Sequence, residues 1–358
     1  MSSSDQPVRV AVIGASGYTG GELVRLVLGH PRLALTTVAA RRAAGQTVAA
    51  VFPHLTGLCA LPIVAFDADQ VAATADVAFA ALPHGESAPV VAALRARGVT
   101  VLDLSADFRL RDPAGWARWY GSAEHPHHPA PELLAGAVYG LPERHRAALA
   151  GCGLVAVPGC YPTATILAIA PLLAAGLVRA RGIVVDAKSG ASGAGRTPGL
   201  ATHLPEAAEG LRPYKVGGSH RHTAEMEQEL GLAADAEVPI LFTPHLVPMS
   251  RGILACVYAE PTDHARPAAD YRAALADAYA AEPFVDLLPA GQLPDTAFVR
   301  GSNRCHVQVV HDARSGRVLV MSAIDNLVKG AAGQAVQCLN AVRGWPETLG
   351  LAHAPLFP

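Results

Sequence analysis

The chain has no marked excess of charge of either sign: Lys and Arg total 28, Asp and Glu 30, and charged residues make up 16% of the whole. No block of like charge stands out. That balance gives no general electrostatic footprint for nucleic acid, so any anion must be bound locally. No uninterrupted apolar stretch is long enough to cross a bilayer, the longest, 166–178, being short and containing Pro171. The opening MSSSDQPVRV has no basic segment leading into an apolar one and a small-residue cleavage site, so a cytoplasmic protein is expected. The six cysteines, Cys59, Cys152, Cys160, Cys256, Cys305 and Cys338, lie far apart and form no CxxC pair. This excludes a disulfide scaffold and makes free thiols the expectation. No internal repeat and no low-complexity linker is present.

A length of 358 residues, 51% of them hydrophobic, exceeds one ordinary core and implies two domains of roughly 150 to 200 residues each. An apolar run at 8–13 ends in Gly14, and 18–28 has helical spacing: strand, glycine turn, helix. Further β-prone runs fall at 33–40, 77–82, 100–104 and 154–157, with a helix-like segment at 87–97 between two of them. Alternation of this kind predicts an α/β domain with a mostly parallel, doubly wound sheet. The stretch 109–146 is rich in Pro, His and Trp and lacks periodicity, so it reads as a long excursion. Beyond Cys160 the spacing predicts a helix over 163–177, a strand over 183–187 and a Gly/Ser loop over 189–198. Strands of a second, antiparallel-rich sheet are predicted at 253–259, 305–310 and 318–322, and a closing helix at 328–343.

GASGYTG, residues 14–20, puts Gly14, Gly17 and Gly20 at a strand end, in a turn and in the first helical turn. Glycine lets the backbone approach a pyrophosphate, whose charge meets exposed N–H groups at the helix start. The candidate contacts are Gly14, Ser16, Gly17, Tyr18, Thr19 and Gly20. The spacing is GxxGxxG, and a glycine turn without a ligand is the bland alternative. Arg41 and Arg42 follow the second strand, where an NAD site usually carries an acidic residue. Two guanidinium groups suit a 2′-phosphate instead, so NADP(H) is the expected cofactor; the alternative is a solvated basic turn.

In LVAVPGCYPTATILAIAP a strand ends at Pro158–Gly159 and a helix begins near Pro162, which sets Cys160 at a helix N-terminus. That position favours thiolate over thiol and offers N–H groups to an oxyanion formed on an attacked carbonyl. A thiolate nucleophile needs a proton partner, and His220 and His222 stand just before the next helix; the spacing does not choose between them. No Cys or carboxylate companions make a zinc site of the pair, so no metal is expected. The loop 189–196 ends in Arg196 and suits an anionic substrate, as does the planar fork of Arg109 in SADFRLR.

Several segments occur in one order: GASGYTGGEL (14–23), LSADFR (104–109), VPGCYPTA (157–164), KSGASGAGR (188–196), GSHRHTAEMEQEL (218–230), FTPHLVPMSRGI (242–253) and DNLVKGAAGQAVQ (325–337). Together they make nearly the whole chain resemble the N-acetyl-gamma-glutamyl-phosphate reductases, NADPH-dependent enzymes of arginine biosynthesis. The resemblance implies Cys160 as nucleophile and His220 as acid/base. It implies Ser189, Gly190 and Asn326 on the cofactor side, and Arg109, Ser192, Arg196 and His222 on the substrate side, with Ser189 also reaching substrate. The implied fold resembles that of aspartate-semialdehyde dehydrogenase. It has a Rossmann domain of residues 1–159 and 327–358 and an α+β catalytic and dimerisation domain of 160–326, with the C-terminal helix returning to the first. A homo-oligomer, dimer or tetramer, acting on a small acyl phosphate follows too. The rivals are aspartate-semialdehyde dehydrogenase itself, a cysteine hydrolase using Cys160 and His220, and a non-catalytic sensor of the NADP redox ratio.

Overall fold

A computed structural model describes residues 6–357. Of these, the residues up to Pro158 with Ala331–Ala352 form one compact unit, and Gly159–Gly330 with those from His353 form another.

The first unit runs β1 (Val8–Ile13), α1 (Tyr18–Leu28), β2 (Leu33–Ala39), α2 (Val48–Val51), β3 (Ile63–Val64), α3 (Ala68–Thr74), β4 (Val77–Ala80), α4 (Ser87–Arg95), β5 (Thr100–Asp103), α5 (Pro113–Tyr120), β6 (Ala137–Tyr139), α6 (Pro142–Leu149) and β7 (Leu154–Ala156). Its seven strands lie in the order β3-β2-β1-β4-β5-β7-β6, every pairing parallel. The order turns outward in both directions from β1, so the turn after β1 lies at the topological switch point where doubly wound sheets bind ligands. Strands buried on both faces need continuous apolar runs. β4, Val-Ala-Phe-Ala, is buried at every position, and Ala11, Ile13, Ala78, Ala80, Val101 and Ala156 share one core with Val91 and Leu94 of α4.

The stretch 109–146, expected to be irregular, holds α5, β6 and α6. Both helices begin with a proline, which is preorganised for a first turn, and Asp112 caps α5 by accepting the Ala114 and Gly115 N–H groups. The His-rich segment 124–128 braces this unit. His128 is buried, with Nδ1 accepting the Ala130 N–H and Nε2 donating to the Asp107 carbonyl, while the Asp107 carboxylate accepts the Gly85 and Ala88 N–H groups at the start of α4.

The second unit runs α7 (Cys160–Ala174), β8 (Ile183–Gly190), α8 (Leu204–Ala207), β9 (Arg212–Pro213), α9 (His222–Ala234), β10 (Ile240–Val247), β11 (Ile253–Ala259), α10 (Ala268–Tyr279), β12 (Val285–Leu287), β13 (Cys305–Asp312) and β14 (Arg317–Ile324). A π turn over Val328–Ala332 precedes α11 (Gly333–Val342), which belongs to the first unit and packs on α1 and α6.

The second sheet is mixed, in the order β12-β13-β14-β11-β8-β10-β9. One face, with Val185, Ala187, Ala255, Val257, Val320 and Ser322, is buried, and the Ser322 hydroxyl donates to the Ala164 carbonyl of α7. α7 is apolar all round and buried from Tyr161 to Ala170, as a helix in the middle of a unit must be. It starts at Cys160, two residues before the expected Pro162. Pro171 sits inside it and cannot donate to the Leu167 carbonyl. The Tyr279 hydroxyl of α10 donates there instead. β10 was not expected as a strand, because Pro244 interrupts its pattern; it pairs in parallel with β8 and carries only the short β9 on its other side.

Candidate active site

In the first unit Gly14 has φ +79°, and a Cβ there would meet the Ala81 carbonyl oxygen at 2.2 Å; at Gly20 it would meet the Ala15 backbone at 2.5 Å. Both glycines are demanded by the fold itself. Gly17 differs, since a Cβ there would meet only the Gly14 oxygen, at 4.0 Å. It is the N-cap of α1 and caps nothing with a side chain, so its smallness serves no packing need and fits close approach by a phosphate at the helix start. Ser16 and Thr19 are half-buried beside it, Tyr18 is exposed, and Arg41 and Arg42 are both exposed in the turn after β2.

Arg109 is also in this unit. Its guanidinium is buried and donates from Nε to the Val157 carbonyl and from Nη2 to the Leu104 carbonyl, both at 2.8 Å. It thereby ties together the backbone that follows β5 and β7.

In the second unit Cys160 is the first residue of α7 and Gly159 its N-cap. First-turn N–H groups have no intrahelical carbonyl to reach, so the positive end of the helix faces the thiol. On the other side a Cβ at Gly330 would meet the Cys160 Cβ at 2.7 Å, so only glycine leaves the nucleophile its place.

The ring of Tyr161, next in the chain, packs edge-on against His220, His222 and Phe242, with centroids at 5.6, 6.1 and 5.2 Å. The two histidine rings lie 4.8 Å apart, and Tyr214 is 5.6 Å from His220. The hydroxyls of Tyr161 and Tyr214 share a hydrogen bond of 3.0 Å. Burial pushes the Tyr214 phenol up to about 12, and the adjacent Cys160 acts in the same direction. Both histidines therefore stand beside the nucleophile's turn. Neither Tyr161, Tyr214 nor Phe242 was expected in the site; adjacency to Cys160 could have flagged the first, and nothing local the other two.

Burial lowers the His220 pKa to about 4, and the cations of Lys215 and Arg221 add to the effect. Its Nδ1 accepts the His222 backbone N–H at 3.2 Å, which assigns the proton of the neutral ring to Nε2.

Ser189, Gly190, Ser192 and Asn326 form one assembly. Ser189 and Gly190 end β8 and are buried. Gly190 donates to the Gly252 carbonyl, and Ser192 N–H to that of Ser250. The Asn326 Oδ1 accepts the Gly252 N–H at 2.7 Å, while its Nδ2 donates to the Ser192 hydroxyl at 3.0 Å. One buried amide thus clamps the loop after β8 to the loop before β11. Asp325 beside it is fully buried, accepting the Gly301, Leu327 and Val328 N–H groups and facing Arg251 at 3.5 Å. Arg196 is exposed beyond this loop. Among the described residues no group of three or more His, Cys, Asp or Glu is placed to hold a metal ion, and no helix is long and apolar enough to cross a membrane.

Comparison with known proteins shows the family and the fold. Residues 9–152 match the family model described as semialdehyde dehydrogenase, NAD binding domain, and residues 160–326 that described as semialdehyde dehydrogenase, dimerisation domain. The N-acetyl-gamma-glutamyl-phosphate reductase of Citrifermentans bemidjiense is 50% identical over 98% of this chain and all of its own length. That of Moorella thermoacetica is 49% identical with the same coverage. Among solved structures, aspartate semialdehyde dehydrogenase II of Vibrio cholerae has the same fold, with TM-score 0.71 at 19% identity over 94% of this chain and 98% of its own. The Candida albicans aspartate semialdehyde dehydrogenase shares it too, with TM-score 0.66 at 14% identity over 93% and 97% of the two chains.

Proposed function

The chain belongs to the N-acetyl-gamma-glutamyl-phosphate reductase family, and from that premise we propose that it reduces N-acetyl-L-glutamyl 5-phosphate to the 5-semialdehyde, releasing phosphate, through a thioester on Cys160. The observation that carries the proposal is half identity along nearly the full length of named reductases, joined to a cysteine at a helix start with two histidines beside it.

The first unit is the NADP-binding domain and the second the catalytic and dimerising one. Gly14, Ser16, Gly17, Tyr18, Thr19 and Gly20 hold the pyrophosphate, and Arg41 and Arg42 the 2′-phosphate. Ser189, Gly190 and Asn326 face the nicotinamide. Arg109, Ser192, Arg196 and His222 serve the substrate, Ser189 also touching it; Arg109 acts in part through the backbone it braces. When bound, the nicotinamide supplies hydride to the acyl carbon. The enzyme works in the cytoplasm.

The Cys160 thiolate attacks the acyl carbon; a C–S bond forms, the bond from carbon to phosphate oxygen breaks, and the phosphate departs with a hydrogen bond from the His220 Nε2–H, taking its proton from water. His220 is neutral in the substrate-free site, and the negative charge of an arriving acyl phosphate moves its pKa upward toward the working range. After reduction of the thioester, the first-turn N–H groups of α7 hold the alkoxide. That alkoxide collapses to aldehyde as the C–S bond breaks, which regenerates the Cys160 thiolate beside the His220 Nε2–H.

The open face of the second sheet supports the homodimer. Val184, Leu241, Leu254 and Tyr258 lie on one side of β8, β10 and β11, opposite the face that α7 covers. The same face carries the Asp186–Lys188 ion pair at 2.6 Å.

The test is the reverse reaction, following NADPH formation from N-acetylglutamate 5-semialdehyde, NADP and phosphate, with NAD and with aspartate semialdehyde as controls. Phosphate-dependent activity with the acetylated aldehyde and NADP is expected. Strong preference for aspartate semialdehyde would replace the substrate, and equal use of NAD would remove the role given to Arg41 and Arg42.

A further inference from the structure

Glu225 lies in the first turn of α9, three residues after His222, and is fully buried. Its Oε1 accepts the Gly159 N–H at 2.8 Å. Gly159 is the residue before Cys160 and caps α7 with no side chain of its own. The Gly159 carbonyl is engaged as well, accepting both the N–H and the hydroxyl of Thr163. The turn that carries the nucleophile is therefore held on one side by its own helix and on the other by a carboxylate from α9. A carboxylate withdrawn from water is costly to bury unless it is used.

The histidines need such a tie. His220 ends a loop in which Lys215, Gly217 and Gly218 all have positive φ, at 47°, 66° and 78°, and the loop is exposed from 215 to 219. Upstream, the Tyr214 ring packs on that of His220 at 5.6 Å. Downstream the loop runs straight into α9, which packs on α7, and the Glu225–Gly159 bond is a polar link between that helix and the cysteine's turn.

We propose that Glu225 is a positioning residue: by holding Gly159 from α9, it sets the separation between the Cys160 sulfur and the histidines that open that helix. The proposal rests on Cys160 and His220 being the reacting pair. It concerns reach, because the acceptor must extend to one particular N–H; charge is secondary.

Three variants separate reach from charge. Glu225→Gln keeps an acceptor of the same length, Glu225→Asp keeps the charge but withdraws it by one methylene, and Glu225→Met keeps neither. Two rates are read in each: reductase kcat and KM, and alkylation of Cys160 by iodoacetamide, corrected with a Cys160→Ser control. Glu225→Gln is expected within about threefold of the parent in both. Glu225→Asp and Glu225→Met are expected to lose about a hundredfold in kcat with KM little changed, and to alkylate more slowly. Parent-like rates in folded Glu225→Met overturn the proposal, as does a loss in Glu225→Gln as large as in Glu225→Asp. If Glu225→Met does not fold by circular dichroism, the Gln and Asp pair decides alone, equal rates overturning the idea. Should the parent lack reductase activity, the proposed function fails, while alkylation still reports on Glu225.

Discussion

His220 accepts a backbone N–H through Nδ1 and carries its own proton on Nε2, which makes it a neutral donor until an anion arrives. Its folded pKa of about 4 lies below the ordinary 6.5. Between these values the unfolded chain binds a proton that the folded protein refuses, so the stability it contributes is present above about pH 6.5 and lost as pH falls toward 4. Replacing His220 by Gln should therefore shrink the drop in Tm between about pH 7 and about pH 4.5. In the parent, the histidine NMR signal that disappears in this variant should titrate below about pH 5. Cys160→Ser should lower kcat by about a thousandfold or more while leaving NADP binding intact by fluorescence titration, since the hydroxyl is a far weaker nucleophile. Cys160 was legible in the sequence because a strand end, two prolines and the start of a helix frame it, and the histidine pair because it stands just before a helix. Glu225 and Tyr214 were not. EMEQEL reads as a solvated helix face, and only the packing of α9 on α7 turns Glu225 and Glu229 inward.

At the scale of elements, α7 shows how a rule is broken and repaired. Pro171 frees the Leu167 carbonyl inside a buried helix, and the Tyr279 hydroxyl takes it up. Tyr279→Phe should cost about 1 to 3 kcal/mol in urea unfolding, because a buried acceptor is left unmet. The cost should fall in a Pro171→Ala background, where the helix supplies its own donor; equal costs in both backgrounds would contradict the pairing. The glycine turn makes a second prediction. Gly17→Ala should fold like the parent by circular dichroism and bind NADP more weakly, whereas Gly14→Ala should fail to fold, since its Cβ would enter the Ala81 carbonyl. Apolar runs and spacing revealed most strands of both sheets. The elements in 109–146 and β10 escaped because prolines there mimic irregular chain: as first residues of helices, and as a residue inside a near-edge strand.

For the whole molecule, the parallel sheet was legible from strands alternating with helices, and the second was expected to be antiparallel-rich, whereas β8 with β10 and β12 with β13 pair in parallel. The edges of the units were less legible. The expectation gave 353–358 to the first domain, whereas these residues cluster with the second, where the Leu356 N–H donates to the Arg300 carbonyl and Phe357 packs on Phe298. Such contacts carry no periodic signal. The open sheet face sets the prediction at this scale. Leu241→Asp combined with Tyr258→Glu should convert the proposed dimer to monomers in light scattering, because both side chains are exposed on that face and charge buried there by a partner would be unpaired.

The first unit is interrupted at Pro158 and resumes only at Ala331, and α11, with Gln334 donating to the Gly140 carbonyl, belongs to its packing. On a ribosome, where domains generally fold in order of synthesis, this reverses the usual schedule: all of the second unit except the residues from His353 emerges before the first can be completed. The nascent Rossmann sheet must wait, with the surfaces of α1 and α6 that receive α11 uncovered, until the last stretch of chain is made. A message truncated just before residue 331 would yield a second unit lacking only its residues from His353, tethered to an unfinished first one.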